Sequence, residues 1–266
     1  MKIGFIGTGN MGGALARAAA KGGHTLLLAN RTPAKAAALA KELGGTVCPN
    51  AQAAEAAELL FLGVKPQGLP GLAGELAPVL QARKGNAPVV VSMATAVTLR
   101  ELDAMLGGGL PLIRIMPNTP AAVGAGTILY AAQNVTDAQL NAFRAVLAQA
   151  GLLLPLPEEK IDAASAISGC GPAFCFQFAD ALALGGVRAG LSYPDACRLA
   201  AQTMLGAAEM LLQGGEAPDV LKMRVCSPAG TTIEGVLALE QGGFSYTVQN
   251  AVTAAYRRTV DMTKKG

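Results

Sequence analysis

The sequence predicts an α/β fold in which a doubly wound parallel sheet is followed by an all-helical domain. Up to residue 115, short and almost wholly apolar runs alternate with alanine-rich segments, the pattern of a parallel sheet with helices on both faces. A glycine-rich turn joins the first apolar run to the first alanine-rich segment. Beyond residue 157, apolar residues recur at helical spacing instead.

The first part of the chain supplies the elements of the sheet. Its apolar runs predict strands at 2–6, 25–29, 46–48, 59–63, 88–92 and 111–115. The segments between them predict helices that include 11–21, 33–43 and 98–106. We expect a strand at 127–131, a helix at 136–150 and a strand at 152–154 to extend the sheet. Two prolines flank a connector that ends at Pro157, so the predicted domains are 1–157 and 158–266.

The second domain is predicted to be helical throughout. From Cys197, small or apolar residues fall at helical spacing, and Gly214-Gly215 is expected to end this helix. Gly242-Gly243 is expected to end a later one. A small helical domain rich in alanine and glycine buries modest apolar area alone, so we expect dimerisation through it.

Composition excludes several classes of function. A net charge of +3 over 266 residues is too small to indicate nucleic-acid or anionic-membrane binding. No stretch reads as a membrane span or signal peptide, since the first predicted strand starts at residue 2. The five cysteines include no Cys-x-x-Cys pair. We therefore expect no metal site and no disulfide framework, and a reduced, cytoplasmic location.

The glycine-rich turn is a dinucleotide-binding signature of the Rossmann type. It reads Gly7-Thr8-Gly9-Asn10-Met11-Gly12 and lies between a predicted strand and a predicted helix. Glycines at these positions allow a tight turn, close approach of a pyrophosphate, and packing of helix on strand. The helix N-terminus then offers free N–H groups to the phosphates.

The end of the second strand indicates the kind of dinucleotide. NAD-binding chains usually carry an acidic residue there for the ribose 2′-hydroxyl. This chain has Asn30-Arg31-Thr32 instead. Arginine with two small polar neighbours attracts a 2′-phosphate, so the predicted cofactor is NADP(H). An ordinary solvated arginine is the alternative.

Three further loops follow predicted strands at the edge where ligands bind parallel sheets. They contain Val64-Lys65-Pro66, Ala94 and Asn118. Lys65 is placed to contact cofactor phosphate or ribose, and Asn118 to hydrogen-bond a carboxamide or the substrate. Plain turn chemistry is the alternative for each loop.

A last candidate site lies in the helical domain, at Ser227-Pro228-Ala229-Gly230-Thr231-Thr232. A turn that leads into a helix N-terminus can hold a carboxylate with its N–H groups and hydroxyls, or it can simply cap the helix. The chain otherwise lacks strong acid-base groups. Its one histidine, His24, is expected to be structural, and no paired carboxylates stand out.

Taken together, these motifs resemble the pyrroline-5-carboxylate reductase family. The resemblance runs nearly end to end through FIGTGNMGGA, NRT, GVKPQ, RIMPNTPA, ISGCGPAF and the segment Arg224–Gly243. The chain departs from the family at Cys170, where Ser is usual, and at Ala229, where Gly is usual. The resemblance implies NAD(P)H-dependent reduction of the cyclic imine 1-pyrroline-5-carboxylate to L-proline. Asn30-Arg31-Thr32 then favours NADPH, with NADH as a weaker cofactor. It also implies a homodimer of interleaved helical domains, with a decamer of dimers as the larger assembly.

The resemblance also assigns residues. It implies that pyrophosphate binds at Gly7, Thr8, Gly9, Asn10 and Met11, that the 2′-phosphate binds at Asn30, Arg31 and Thr32, and that Val64, Lys65, Pro66, Ala94 and Asn118 line the cofactor. It implies a substrate site at Asn118, Ser227, Ala229, Gly230, Thr231 and Thr232. Thr232 would be the catalytic residue, hydrogen-bonded to the ring nitrogen, and in such dimers the carboxylate loop can come from the other subunit. Because a protonated C=N bond is already electrophilic, the scarcity of acids and bases fits this chemistry.

Two alternative interpretations of the glycine motif fit the rest of the sequence less well. A β-hydroxyacid dehydrogenase shares the glycine motif but places a catalytic lysine on a helix early in the second domain, and segment 171–185 contains none. A non-catalytic NADP-binding sensor would not need the intact loop at 227–232.

Overall fold

The apolar runs form the strands of one eight-stranded sheet in the computed structural model, which describes residues 1–263. The strands are β1 (Lys2–Ile6), β2 (Thr25–Ala29), β3 (Thr46–Val47), β4 (Leu59–Leu62), β5 (Val89–Ser92), β6 (Leu112–Pro117), β7 (Gly126–Gln133) and β8 (Gly151–Pro155). Their order across the sheet is β3-β2-β1-β4-β5-β6-β7-β8. The order reverses at β1, between β2 and β4, which is the position where doubly wound sheets bind ligands.

One strand departs from the predicted all-parallel sheet. β7 runs antiparallel to β6, whereas β8 returns parallel to β7. The connection between β6 and β7 is the short segment 118–125, which contains only the 3₁₀ turn Thr119–Val123. A parallel crossover needs a dozen or more residues, so this connection permits only an antiparallel return.

Helices cover both faces of the sheet. They are α1 (Asn10–Ala20), α2 (Pro33–Leu43), α3 (Asn50–Ala56), α4 (Leu69–Ala82), α5 (Leu99–Met105), α6 (Asp137–Leu147) and α7 (Glu158–Ser168). Short 3₁₀ turns lie at Pro66–Gly68, Lys84–Asn86 and Ala148–Ala150. Each face of the sheet carries its own core of buried apolar side chains. On one face the rings of Phe5 and Phe61 stack with centroids 4.6 Å apart.

α4 lies outside the helices that the sequence predicted. Two prolines and two glycines interrupt its sequence, and such residues usually break a helix. The helix forms because Leu69, Leu72, Leu76 and Leu80 recur every three or four residues and are all buried. Burial of this apolar stripe outweighs weak intrinsic propensity.

The chain divides into two compact units by internal contacts. One contains residues 1–170 with the end of the chain from Ala255, and the other contains 171–254. The boundary predicted after residue 157 stays a prediction. The helices from residue 171 onward are α8 (Gly171–Arg188), α9 (Tyr193–Gly214), α10 (Pro218–Val225), α11 (Thr231–Gln241) and α12 (Phe244–Thr263). The predicted end of α9 is confirmed, because Gly215 caps it in the left-handed conformation at φ +64°.

The helical unit has almost no buried core of its own. Within 171–254 the only buried residues are Ala183, Ala196 and Ala200. Many large apolar side chains are instead exposed, among them Phe176, Leu212 and Tyr246. α8 and α9 are joined by a hydrogen bond that the Tyr193 hydroxyl donates to Asp180 at 2.8 Å, which raises the pKa of Tyr193 to about 12.

The stretch Glu158–Arg188 is long and apolar enough to cross a membrane when judged by length and composition alone, the one such stretch within residues 1–263. It consists of two helices, α7 and α8, with a turn at 169–170 between them. α7 packs on the sheet, with Ile161 fully buried in the core.

A buried arginine attaches α7 to the sheet. Arg114 on β6 has a side chain only 3% exposed and pairs with Asp162 at 2.5 Å and Glu158 at 3.4 Å. Glu158 also accepts a hydrogen bond from the backbone N–H of Leu99 at 2.6 Å, at the start of α5. One guanidinium therefore fixes the starts of two helices.

We expect Arg114→Met to lower the free energy of unfolding by about 3 kcal/mol, because it leaves two half-buried carboxylates without their partner. Thermal or urea unfolding measures this. Arg17→Met is the matched control, since Arg17 pairs with Glu42 at the surface and such pairs contribute about 1 kcal/mol or less. Equal losses in the two variants would contradict the prediction.

Candidate cofactor and substrate sites

Three glycines bring the start of the glycine-rich loop against two other segments of backbone. Gly7 has φ +98°, and a Cβ there would lie 2.5 Å from the carbonyl oxygen of Gly63, just after β4. A Cβ on Gly12 would lie 2.0 Å from the carbonyl oxygen of Gly7. No side chain fits at these positions, so β1, β4 and α1 meet through bare backbone.

Gly9 differs from these glycines because it has open space around it. A Cβ there would have no atom within 4 Å. Gly9 is the N-cap of α1, whose first turn has no acidic residue and no side-chain cap. The positive end of the helix therefore faces open space and suits an anion. Beside it, the buried hydroxyl of Thr8 has no hydrogen-bond partner among the described residues, so a phosphate oxygen there would supply one.

A cleft of about 680 Å³ opens at this edge of the sheet. Of the predicted cofactor residues, it is lined by Gly7, Gly9, Asn30, Arg31, Thr32, Val64 and Lys65. Thr8, Asn10, Met11, Pro66, Ala94 and Asn118 do not line it. The cleft is also lined by residues that were not assigned to the cofactor from the sequence: Ile6, Lys35, Asn50, Gly63, Gln67, Gly68, Leu72 and Glu75. For Lys35 a signal existed, because it is a cation only four residues after Arg31, at the start of a predicted helix.

Asn30 connects the two phosphate-binding loops. Its side-chain oxygen accepts a hydrogen bond from the backbone N–H of Thr8 at 3.0 Å. Its amide nitrogen donates to the backbone carbonyl of Thr32 at 3.0 Å. An aspartate could also accept from the N–H of Thr8, but it has no hydrogen to donate to the Thr32 carbonyl, so only the amide makes both bonds. Asn30 thus holds the glycine-rich loop and the Arg31 loop in a fixed relation.

The charge of the cleft is mostly positive. Arg31, Lys35 and Lys65 line it, with Glu75 as the acidic residue among the lining residues. Glu75 accepts a hydrogen bond from Asn50 at 3.0 Å. Cys48 lies close by in an adjoining hollow, and burial raises the pKa of its thiol above the ordinary value. Such a thiol remains protonated and unreactive.

Ala94 and Asn118 are held in place by bonds to their own surroundings. The backbone N–H of Ala94 donates to the Ser92 hydroxyl at 3.3 Å. The side-chain oxygen of Asn118 accepts from the N–H of Thr127 at 2.8 Å, and its nitrogen donates to the carbonyl of Ser168 at 2.9 Å. Asn118 therefore joins the ends of β6, β7 and α7 and has one amide hydrogen left for a ligand.

The loop before α11 is a tight turn with a strained residue. The N–H of Gly230 donates to the carbonyl of Ser227 at 3.0 Å, Pro228 occupies the second position, and Ala229 has φ +56°. These are the features of a type II turn, whose third position favours glycine. A Cβ on Gly230 would lie 2.2 Å from the Ser227 hydroxyl. Ala229 thus occupies the one position of this turn where alanine is strained.

The hydroxyls of this loop do not cap the helix. The N-cap of α11 is Gly230, and no side-chain cap hydrogen bond is present. Thr231 and Thr232 are the first two residues of α11. The structure therefore does not show the alternative in which this loop only caps the helix. The hydroxyls remain available to a ligand.

Neither His24 nor the acidic residues form a second candidate site among residues 1–263. His24 lies just before β2, with its ring beside Gly22. Within residues 1–263, no three His, Cys, Asp or Glu side chains gather as a metal site requires.

The fold and the cleft define a dinucleotide-binding α/β protein with a separate helical unit. Residues 2–96 match the family model described as NADP oxidoreductase, coenzyme F420-dependent. Residues 158–262 match the model for pyrroline-5-carboxylate reductase dimerisation. The pyrroline-5-carboxylate reductase of Synechocystis sp. is 41% identical over 81% of this chain and 79% of its own length. The chain belongs to the pyrroline-5-carboxylate reductase family, as the motifs predicted.

Solved structures agree with this placement. A pyrroline-5-carboxylate reductase from Coxiella burnetii matches with a TM-score of 0.89 and 32% identity, over 97% of each chain. The Plasmodium falciparum pyrroline carboxylate reductase, solved with NADP bound, matches with a TM-score of 0.87 and 29% identity. It covers 99% of this chain and 98% of its own. The predicted fold class is confirmed.

We expect Ala229→Gly to stabilise the protein by up to about 1 kcal/mol, because glycine removes the left-handed strain at this turn at some loss of chain entropy. Urea unfolding at fixed protein concentration measures it. Ala238→Gly, in the middle of α11, is the matched control and should destabilise by about 1 kcal/mol. Destabilisation by both variants would show that the turn tolerates alanine without strain.

Proposed function

We propose that this protein reduces the C=N bond of 1-pyrroline-5-carboxylate with NADPH and gives L-proline, the last step of proline biosynthesis. The observation that carries the proposal is the cleft at the ends of β1, β2 and β4. It combines an open helix N-terminus with three cations. Family membership supplies the substrate.

The cofactor residues are assigned from the cleft outward. Gly7 to Met11 bind the pyrophosphate, with α1 supplying N–H groups and positive dipole. The unpartnered Thr8 hydroxyl and the space over Gly9 fit this assignment. Arg31 and Thr32 bind the 2′-phosphate, with Asn30 bracing both loops. Val64, Lys65 and Pro66 border the adjoining part of the cofactor.

Ala94 and Asn118 are assigned to the nicotinamide end. Both follow neighbouring strands of the sheet, β5 and β6. Asn118 has one amide hydrogen free for the carboxamide or the substrate.

The carboxylate of the substrate is assigned to the loop from Ser227 to Thr232. Ala229 and Gly230 give the turn its shape, and the uncapped start of α11 offers backbone N–H groups. Thr231 supports the carboxylate, and the Thr232 hydroxyl hydrogen-bonds the ring nitrogen as the catalytic residue.

The proposed reaction requires no strong acid or base from the protein. Bound NADPH supplies the hydride, as nicotinamide cofactors do. The iminium form of the substrate is drawn from solution, so no strong acid is needed. The residues of this chain fix the carboxylate and orient the C=N bond, and orientation of well-aligned reactants lowers a barrier by up to about 7–11 kcal/mol.

The assembly is proposed as a homodimer formed through the helical unit, with decamers built from dimers. The exposed apolar side chains of α8 and α9 support this, since a second copy would remove them from water. The same pairing is proposed for α8, the part of the apolar stretch 158–188 that does not pack on the sheet, in place of membrane insertion, with a cytoplasmic location. We also propose the domain boundary after residue 157.

The purified protein is expected to oxidise NADPH when 1-pyrroline-5-carboxylate is added, followed as loss of nicotinamide absorbance, with L-proline as product. NADH should support a slower reaction. A folded sample that binds NADPH yet shows no turnover would overturn the proposal.

Arg31→Ala is expected to weaken NADPH binding about 10- to 100-fold, the equivalent of one charge-assisted contact, and to leave NADH binding nearly unchanged. Fluorescence titration with each cofactor measures this. Lys41→Ala is the control, because Lys41 lies on α2, the helix that follows the Arg31 loop, but does not line the cleft. Equal losses for both cofactors would mean that Arg31 does not contact the 2′-phosphate.

Thr232→Ala should lower kcat/KM for the imine and leave NADPH affinity unchanged, because the hydroxyl orients the ring nitrogen. Thr232→Ser should recover most of the activity. Thr253→Ala, on the exposed side of α12, is the control. Normal turnover in the alanine variant would exclude a catalytic role.

A further inference from the structure

A second cation lies beside Arg31 in the cleft. Lys35 lies in the first turn of α2, after Pro33 at the start of the helix. It is exposed and lines the same cleft as Arg31 and Thr32. Arg31 immediately precedes Thr32, the N-cap of α2, and Lys35 is the third residue of the helix.

The position of Lys35 is electrostatically unfavourable for the helix itself. Cations are disfavoured near a helix N-terminus, where the dipole is positive. The first turn of α2 contains no acidic residue that would offset the charge. The salt bridges among the described residues include no partner for Lys35 or Arg31; Glu42, on the same helix, pairs with Arg17 instead.

The residues next to Lys35 also leave a hydroxyl free to bind an anion. The N-cap of α2 is Thr32, whose side chain makes no cap hydrogen bond. The Thr32 carbonyl is held by Asn30 and accepts from the N–H of Lys35 at 3.0 Å. The Thr32 hydroxyl is thus free while the backbone that carries it is fixed. Two unpaired cations and a free hydroxyl match the charge and the acceptor oxygens of a phosphate monoester.

We infer that Lys35 is a second specificity-determining residue, which binds the 2′-phosphate of NADP(H) together with Arg31. The inference rests on the proposed cofactor and deepens it. Arginine supplies a planar, two-pronged contact, and lysine supplies a mobile point charge from the helix side. The two cations together balance a phosphate that carries nearly two negative charges at neutral pH.

The test separates cofactor recognition from catalysis by using fragments of the cofactor. Isothermal titration of the full-length protein with 2′,5′-ADP measures binding of the half that carries the 2′-phosphate. Titration with 5′-ADP measures the same half without it. Neither probe requires turnover, so a failure of the proposed reduction would leave the result readable.

Lys35→Ala is expected to weaken 2′,5′-ADP binding about tenfold, as for one charge-assisted contact, with little change for 5′-ADP. Lys35→Arg should retain most of the affinity, and Lys41→Ala should retain all of it. With Arg31→Ala already present, Lys35→Ala should remove the remaining preference for 2′,5′-ADP. Equal losses for both fragments, or no loss for either, would overturn the inference and leave Lys35 as a solvated helix residue.

Discussion

Backbone contact at Gly7 is the constraint on which the cofactor site depends. The carbonyl of Gly7 lies so close to Gly12 and Gly63 that a Cβ on either would approach within 2.4 Å of it. This contact brings the start of α1 and the end of β4 to the carboxyl end of β1. The open Gly9, the buried Thr8 and the loop of Lys65 all take their positions from it. A methyl group at any of the three would push these elements apart.

Side-chain bonds then extend this backbone arrangement across the sheet edge. Asn30 joins the glycine-rich loop to the Thr32 loop. Asn118 does the same for the ends of β6, β7 and α7. Both are uncharged, and Asn118 is buried while Asn30 is partly buried at the edge of the cleft. Arg31, Lys35 and Lys65 line the cleft itself, where an anionic ligand can reach them.

The sequence predicted those parts of the cofactor cleft that depend on residues close together along the chain. The glycine motif and the Arg31 loop follow from spacing along the chain, and the structure places both at one cleft. The reversal of β7 and the helix α4 were missed, because a short connection and a buried leucine stripe outweigh local propensity. The bonds of Asn118 span 9 and 50 residues. No local pattern can predict such partners, and the same holds for Glu75 in the cleft.

The scarcity of buried residues in the helical unit has a consequence for how the chain reaches its native state. Three buried alanines cannot offset the conformational entropy of ordering 84 residues, from 171 to 254. In the proposed dimer, folding of this unit is coupled to association, and its midpoint temperature is expected to rise with protein concentration. On that proposal, a newly made chain that has not yet paired would have a folded sheet domain and an incompletely folded helical unit. The time spent in that state sets its exposure to proteases and to aggregation.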